Sequence, residues 1–433
     1  MNNDLIDNPD SIPNATGGKT MNTAFETAEP DRLTTLDSDQ ARAFELETLR
    51  RVADLALLPP HLVTNPLPEF GYDRLDYAMN ISLERTPGGR LFAAWVGGED
   101  GPRAFMLLAT SDDGGDSWSD PRLVIHGRSS GLPCPRSVIV GNLWCDPLGR
   151  LWFFFDQTMH HFDGRGGLWA IRCDRPEADE LVWTTPRRIW HGSVLNKPIV
   201  LSTGEWLLAA QLLQNNGLGP FAQPLFPELD PLRGVNLLVS TDQGANWRVR
   251  GRVATVVHAD WDEPTLVERR DASLWMLIRT GMGVVETVST DGGRTWTPPK
   301  PHTTIRQTPS RCHLQRLASG RILLIKNGPK IDQASLDHPA ARTQLSAWLS
   351  EDEGRTWCGG LILDDRAGVS YPDGCQGPDG RIFVSYDYDR SGHAHIMLAR
   401  FTEDDVLAAR VVSPGSELQR IIVRPRKNRK TQS

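Results

Sequence analysis

Six short runs of this sequence place ionisable and amide side chains in matching context: Asp76-Tyr-Ala-Met-Asn80, Val138-Ile-Val-Gly-Asn142, Asn196-Lys-Pro198, Asp262-Glu-Pro264, Ser310-Arg-Cys-His313 and Ser370-Tyr-Pro-Asp373. Carboxylates, a guanidinium, an imidazole and a phenol recurring at one position can move protons and hold a polar ligand, whereas a purely structural channel can be filled with apolar side chains. Asp262 and Glu263 are adjacent, so on a strand only one of them points inward. Arg279 and Arg311 either hold a ligand or form an ion-pair lattice with those acids. Lys197, beside Asn196, either reaches the same pocket or pairs with an acid. Tyr371 either reacts or plugs the channel with its hydroxyl satisfied, and Asp373 is the alternative acid or base if Tyr371 is a bystander. The run His160-His161-Phe-Asp-Gly-Arg-Gly-Gly167 sets imidazoles on a glycine turn, where they contact a ligand, donate a proton or simply face solvent. No Walker loop, dinucleotide glycine motif, HExxH or EF-hand spacing occurs, so neither a nucleotide, nor a tightly bound metal, nor any other cofactor is expected.

The elements that must carry these residues are legible as two interleaved repeats. Each of the six runs precedes a turn and an apolar strand: Gly89-Arg-Leu-Phe-Ala-Ala-Trp, Gly149-Arg-Leu-Trp-Phe-Phe-Phe, Gly204-Glu-Trp-Leu-Leu-Ala-Ala, Ala272-Ser-Leu-Trp-Met-Leu-Ile, Gly320-Arg-Ile-Leu-Leu-Ile-Lys and Gly380-Arg-Ile-Phe-Val-Ser-Tyr. The spacing suits a four-stranded antiparallel blade with its loops, so six repeats predict an all-β fold, a six-bladed β-propeller. Four copies of Ser-x-Asp-x-Gly-x-x-Trp, at 111–118, 240–247, 289–296 and 350–357, follow repeats one, three, four and five. Asp and Gly suit a tight hairpin turn, and the Trp then packs beside its own hairpin. A degenerate, expanded copy is read at 170–183, repeat six has none, and the last blade is expected to close with residues near the N-terminal end of the array.

Outside the array, residues 1–36 are polar and without periodicity, and read as a disordered lead. Residues 37–60 read as one amphipathic helix stopped by Pro59-Pro60. The propeller is assigned to 70–410 and a C-terminal extension with the basic tail Arg424-Pro-Arg-Lys-Asn-Arg-Lys430 to 411–433. The insertion Asn215-Asn216-Gly-Leu-Gly-Pro-Phe-Ala-Gln-Pro-Leu-Phe226 in blade three carries two aromatics read as exposed; it could lid the pocket or form a subunit contact, and the N-terminal helix offers a second route to a homo-oligomer. With 433 residues, 39% of them hydrophobic, one large domain is expected. A net charge of −7 argues against nucleic-acid and anionic-membrane partners. Six scattered cysteines without a C-x-x-C pair suggest reduced thiols, and with no secretory or membrane-spanning stretch read in the sequence the expected location is cytoplasmic.

The octapeptide resembles the Asp-box (BNR repeat), and the order Glu263, Arg279, Arg311, Tyr371 is similar to that of the sialidase superfamily, over roughly residues 70–405. The resemblance is to exo-α-sialidase-like glycosyl hydrolases, which use a tyrosine nucleophile in place of the usual second carboxylate. It implies that Tyr371 is the nucleophile, that Glu263 accepts its proton, and that Arg279 and Arg311 clamp a substrate carboxylate by bidentate hydrogen bonds. Two departures stand out. Met79 occupies the place of the family's first arginine, with Arg74 five residues upstream as the substitute; and the general acid has no clean match, Glu99 or Asp100 in Gly97-Gly-Glu-Asp-Gly101 being nearest. The resulting expectation is a glycoside hydrolase acting on the terminal, acidic sugar of a glycan. The alternatives are a non-catalytic glycan-binding propeller and a propeller polysaccharide lyase.

Overall fold

The computed structural model describes residues 38–213, 217–254, 263–281 and 283–425. The chain divides into two units at Thr48/Leu49, and the propeller lies wholly in the second. Helix Ser38–Asp54 crosses that boundary and continues into a 3₁₀ turn, Leu55–Leu57, that ends ahead of the two prolines. Among the described residues no helix is long and apolar enough to cross a membrane.

Six antiparallel blade sheets follow in chain order, as the repeats require, with a small two-stranded sheet, Arg136–Ser137 paired with Thr158–Met159, beside blade two. Their innermost strands are Met79–Arg85, Gly141–Cys145, Ile199–Val200, Glu263–Glu268, His313–Arg316 and Val369–Gln376. The turn-glycine repeat supplies the second strand of every blade: Leu91–Gly97, Leu151–Asp156, Trp206–Leu212, Leu274–Thr280, Ile322–Asn327 and Ile382–Tyr388. These strands are buried on both faces because each sheet packs against its two neighbours. Leu207, Val235 and Val239 of blade three meet Leu274, Met276 and Ile278 of blade four, and Trp275 and Leu277 of blade four meet Ile322, Leu324 and Trp348 of blade five.

The octapeptides sit at the turn between the third and fourth strands, on the periphery. In the first, Ser111 Oγ donates to Asp113 Oδ1 at 2.7 Å and accepts from the Gly115 amide at 2.9 Å, while Asp113 also accepts from the Ser117 amide at 2.9 Å. Ser240, Ser289 and Ser350 repeat the arrangement with Asp242, Asp291 and Asp352. Trp118, Trp247, Trp296 and Trp357 each pack against the core beside their own hairpins. In the degenerate copy Cys173 pairs with Trp183, and in blade six the helix Glu403–Leu407, capped by Thr402 and Asp405, takes the place of a box.

Two sequence expectations are corrected. The last blade is not closed by N-terminal residues: all four of its strands come from 369–423, and Glu417–Val423, assigned to an extension beyond 410, is its outer strand. The N-terminal strand His61–Val63 instead adds a fifth strand to blade one, with His61 opposite His126. The insertion aromatics Phe221 and Phe226, read as exposed, are buried at 0% and 2% exposure, because the loop, with 3₁₀ turns Gly219–Phe221 and Pro227–Leu232, packs against the 160–165 segment of blade two: the Leu218 amide donates to the Phe162 carbonyl and Arg165 lies over Phe226.

Candidate active site

Glu263 is the first residue of blade four's inner strand and lies directly opposite Arg279 in the register with the second strand. That cross-strand pairing brings Arg279 Nη1 to 2.6 Å from Glu263 Oε1. Tyr371, from blade six, donates its hydroxyl to the same Oε1 at 2.7 Å, and Arg279 Nη1 lies 3.0 Å from the Tyr371 oxygen. Tyr371 reaches this point because its strand is bulged: Ser370 pairs with Asp387 but Asp373 pairs with Ser385, so two residues face one. Tyr371 itself is left-handed, φ 52°, a conformation costing a tyrosine on the order of 1–3 kcal/mol. Strain of this kind, held at a buried phenol hydrogen-bonded to a carboxylate, makes Tyr371 the first candidate for a functional position.

Three guanidinium groups surround that pair in a cavity of about 250 Å³. Arg279 is joined by Arg342 and Arg390, whose Cζ atoms lie 5.4 and 4.2 Å from the Tyr371 ring centre. Arg390 is fixed by Asp387, which accepts from its Nε at 3.1 Å and also from the Asn80 amide and the Ser370 hydroxyl. Among the described residues Arg342 donates only to the Pro309 carbonyl, at 3.3 Å, and burial together with neighbouring Arg390 and Arg279 lowers its pKa. Arg279 and Arg390 are thus paired with Glu263 and Asp387, whereas Arg342 has no carboxylate partner among the described residues. Tyr371 is held above its ordinary pKa, first by burial and then by the charge of Glu263, with the arginines opposing both.

Blades one to three form the rest of the wall. Asp100 sits 3.6 Å from Arg390 and 3.7 Å from His161 Nε2, with half its side chain open to solvent. Burial depresses the His161 pKa. Asp156, at the end of blade two's second strand, accepts the Ile139 and Val140 amides at 2.9 Å each, and burial pushes its pKa up to about 7. Ser193 and Gln211, joined at 3.0 Å, and Met79 complete the lining.

Of the residues proposed from sequence, the fold thus gathers Tyr371, Glu263, Arg279, Asp100 and His161 into one cavity. Asp262 lies outside the described residues. Arg311 is fully buried behind the Tyr371 ring, and its guanidinium is consumed by the carbonyls of Leu195, Ile81 and Tyr371, at 2.5, 3.0 and 3.1 Å. It braces blades one, three and six and does not line the cavity.

Asp373 and Lys197 form a plug below the cavity, on the propeller axis. Asp373 accepts from Ser82 Oγ and the Leu83 amide and lies 3.0 Å from Lys197 Nζ, and its pKa is held well below the ordinary carboxylate range despite burial, by Lys197 and then His313. Lys197 also meets Glu84 and the Leu83 and Leu143 carbonyls. Asn196 donates to the Pro264 carbonyl. Glu99 is turned onto Arg103, Arg74 is exposed beside Asp73, and His160 packs against Gly219 outside the cavity. No group of acids, histidines and cysteines among the described residues has the geometry of a metal site.

Six sequential blades with Asp-boxes, around a mouth where a phenol meets a carboxylate under arginines, define a propeller of the sialidase-like superfamily. Within it, the chain belongs to the family described as BNR repeat-like domain, whose model matches residues 89–384. No curated protein matches the sequence. Among solved structures it is similar to the intramolecular trans-sialidase from Ruminococcus gnavus in complex with oseltamivir carboxylate, with 16% identity, 81% of this chain and 99% of that one covered, and a TM-score of 0.59. The leech intramolecular trans-sialidase complexed with 2,7-anhydro-Neu5Ac matches at 16% identity over 79% and 70% of the two chains, TM-score 0.57. Trypanosoma rangeli sialidase in complex with sialic acid matches at 15% identity over 75% and 54%, TM-score 0.55. At these identities the likeness is one of fold.

Proposed function

We propose that this protein is an exo-acting glycosidase that cleaves a terminal acidic sugar by a tyrosine-nucleophile mechanism. The observation that carries the reading is the Tyr371 to Glu263 hydrogen bond of 2.7 Å beneath Arg279, Arg342 and Arg390. Arg279 and Arg390 already have carboxylate partners, whereas Arg342 has none among the described residues, and its planar fork suits a bound carboxylate. Here the clamp comes from blades four, five and six, with Arg390 compensating for apolar Met79 in blade one.

In this mechanism the Tyr371 oxygen bonds to the anomeric carbon as its proton passes to Glu263, and the glycosidic bond breaks with Asp100 protonating the leaving oxygen. Water, deprotonated by Asp100, then attacks the glycosyl-tyrosine, and Tyr371 leaves with its proton returned by Glu263. Two displacements retain the anomeric configuration. Sialic acid is the first candidate glycon, since the similar solved proteins bear sialidase names. The test is a panel of aryl glycosides and acidic oligosaccharides, with products analysed by mass and by ultraviolet absorbance. Release of an acidic monosaccharide with retained configuration supports the reading. An unsaturated uronide would instead mean elimination, and tight binding without product would mean a recognition propeller.

A further inference from the structure

The wall of the cavity contributed by residues 156–166 is fastened to a segment that is not part of the propeller. Asp156, His161, Phe162 and Gly166 line the cavity, and the side chains interleaved with them run the other way. Gln157, wholly buried, donates its amide to the carbonyls of Ala56 and Leu58 at 2.8 and 2.7 Å. Arg165, 8% exposed, donates to the Ala53 carbonyl at 3.0 Å and the Asp54 carboxylate at 2.8 Å. Arg136, whose strand pairs with Thr158–Met159, donates to the Leu55 carbonyl at 2.7 Å.

All of these acceptors belong to residues 53–58, where the helix ends and the 3₁₀ turn follows. A helix end presents carbonyls without intrahelical partners and a partial negative charge, so two guanidiniums and an amide are suited to it. Blade three holds the helix just ahead of this segment, and Arg165 itself. Phe226 lies under Arg165 and Arg50, 4.6 and 5.1 Å from their Cζ atoms, and Glu228 pairs with Arg50.

We infer that residues 53–58 act as a brace that sets the position of the 156–166 wall, with Gln157 and Arg165 as the positioning residues through which it acts. Without the brace these buried donors lose their acceptors, and the wall relaxes to find others. The inference takes the cavity as the substrate site, and so rests on the function proposed above.

Full-length Gln157→Leu and Arg165→Met test it, with Arg165→Lys as the conservative variant that keeps one donor. Hydrogen exchange in the folded variants should rise roughly tenfold or more at the Met159, Asp163, Arg165 and Gly166 amides, and stay unchanged at Phe153 and Ile171 in the blade. On a cleaved acidic glycoside KM should rise about tenfold with kcat within about twofold, and Arg165→Lys should recover part of the loss. If exchange increases only within 53–58, or melting temperature falls while wall amides and KM stay put, the brace is a folding contact and the inference is overturned. Should no acidic glycoside be cleaved, the wall amides still decide it.

Discussion

Replacing Tyr371 by Phe, Glu263 by Gln, and both together tests whether the phenol and the carboxylate act as one unit. Tyr371 titrates above its ordinary value near 10, so forming a free phenolate at pH 7 costs at least about 4 kcal/mol. Glu263, 2.7 Å away, avoids that cost by taking the proton as the oxygen attacks. Four kcal/mol corresponds to roughly 10³ in kcat, inside the 10²–10⁴ range of general-base contributions, and Glu263→Gln should lose that much. Gln keeps an oxygen for the Tyr371 hydroxyl, so geometry is preserved while basicity is removed.

Tyr371→Phe deletes the nucleophile and should lose at least about 10². The double variant should be scarcely worse than either, since members of one catalytic unit are not additive. The assay is single-turnover cleavage of a fluorogenic glycoside of the acidic sugar found in the panel, well below the melting temperature of the weakest variant. Mass analysis of quenched wild-type protein should find the glycosyl adduct on the Tyr371 peptide. Fully multiplicative losses, or a Tyr371→Phe variant with more than about a tenth of wild-type kcat, would refute the reasoning and move the chemistry to Asp100 acting on water.

Three further outcomes follow from the geometry. Arg342→Met should raise KM by roughly 10- to 100-fold with a smaller change in kcat, because the Arg342 guanidinium has no carboxylate partner among the described residues and is available to a substrate anion; equal KM for acidic and neutral glycosides in the wild type would count against it. Lys197→Met strands Asp373 and Glu84 without their cation and should cost roughly 3–5 kcal/mol in urea unfolding, while activity per folded molecule stays within about threefold; selective loss of activity would return Lys197 to the site. Asp156 has a folded pKa raised by burial to about 7 above its ordinary 3.8, so the stability it lends is full below pH 4 and is lost as pH rises through 7; Asp156→Asn, which cannot ionise, should show up to about 3 kcal/mol less decline between pH 5 and 9 in denaturant unfolding, and a pH-independent difference would mean Asp156 does not titrate there.

How far the sequence could be read depended on whether a residue's role is set by phase or by an accident of packing. The turn glycines and the Ser-Asp-Gly-Trp boxes act through their own neighbours in the chain, so six blades and four boxes were legible at once. Glu263 and Tyr371 could be found because they begin or bulge inner strands, and Arg279 because it pairs across one hairpin. Arg311 occupies an equally promising position, yet no local signal tells a guanidinium that faces a ligand from one that satisfies three carbonyls on distant blades. Arg342 and Arg390 were missed for the converse reason. Both lie on connecting segments, after Ala341 and Asp389, where spacing carries no information about direction.

One usable signal was present in the phase of the repeat itself. Seven residues past the turns at Gly149, Gly204, Ala272, Gly320 and Gly380 stand Asp156, Gln211, Arg279, Asn327 and Asp387, all polar and all buried, at or near the cavity end of a second strand. Apolar strands with one polar residue at a fixed depth imply a ring of side chains at one height around the axis. Three of the five line the cavity and Asp387 orients Arg390. Blade one has Val96 at that position, beside Met79 on the neighbouring strand, so its hairpin offers no polar group at this depth. Arg390 of blade six instead reaches across to Asp100 on the loop of blade one.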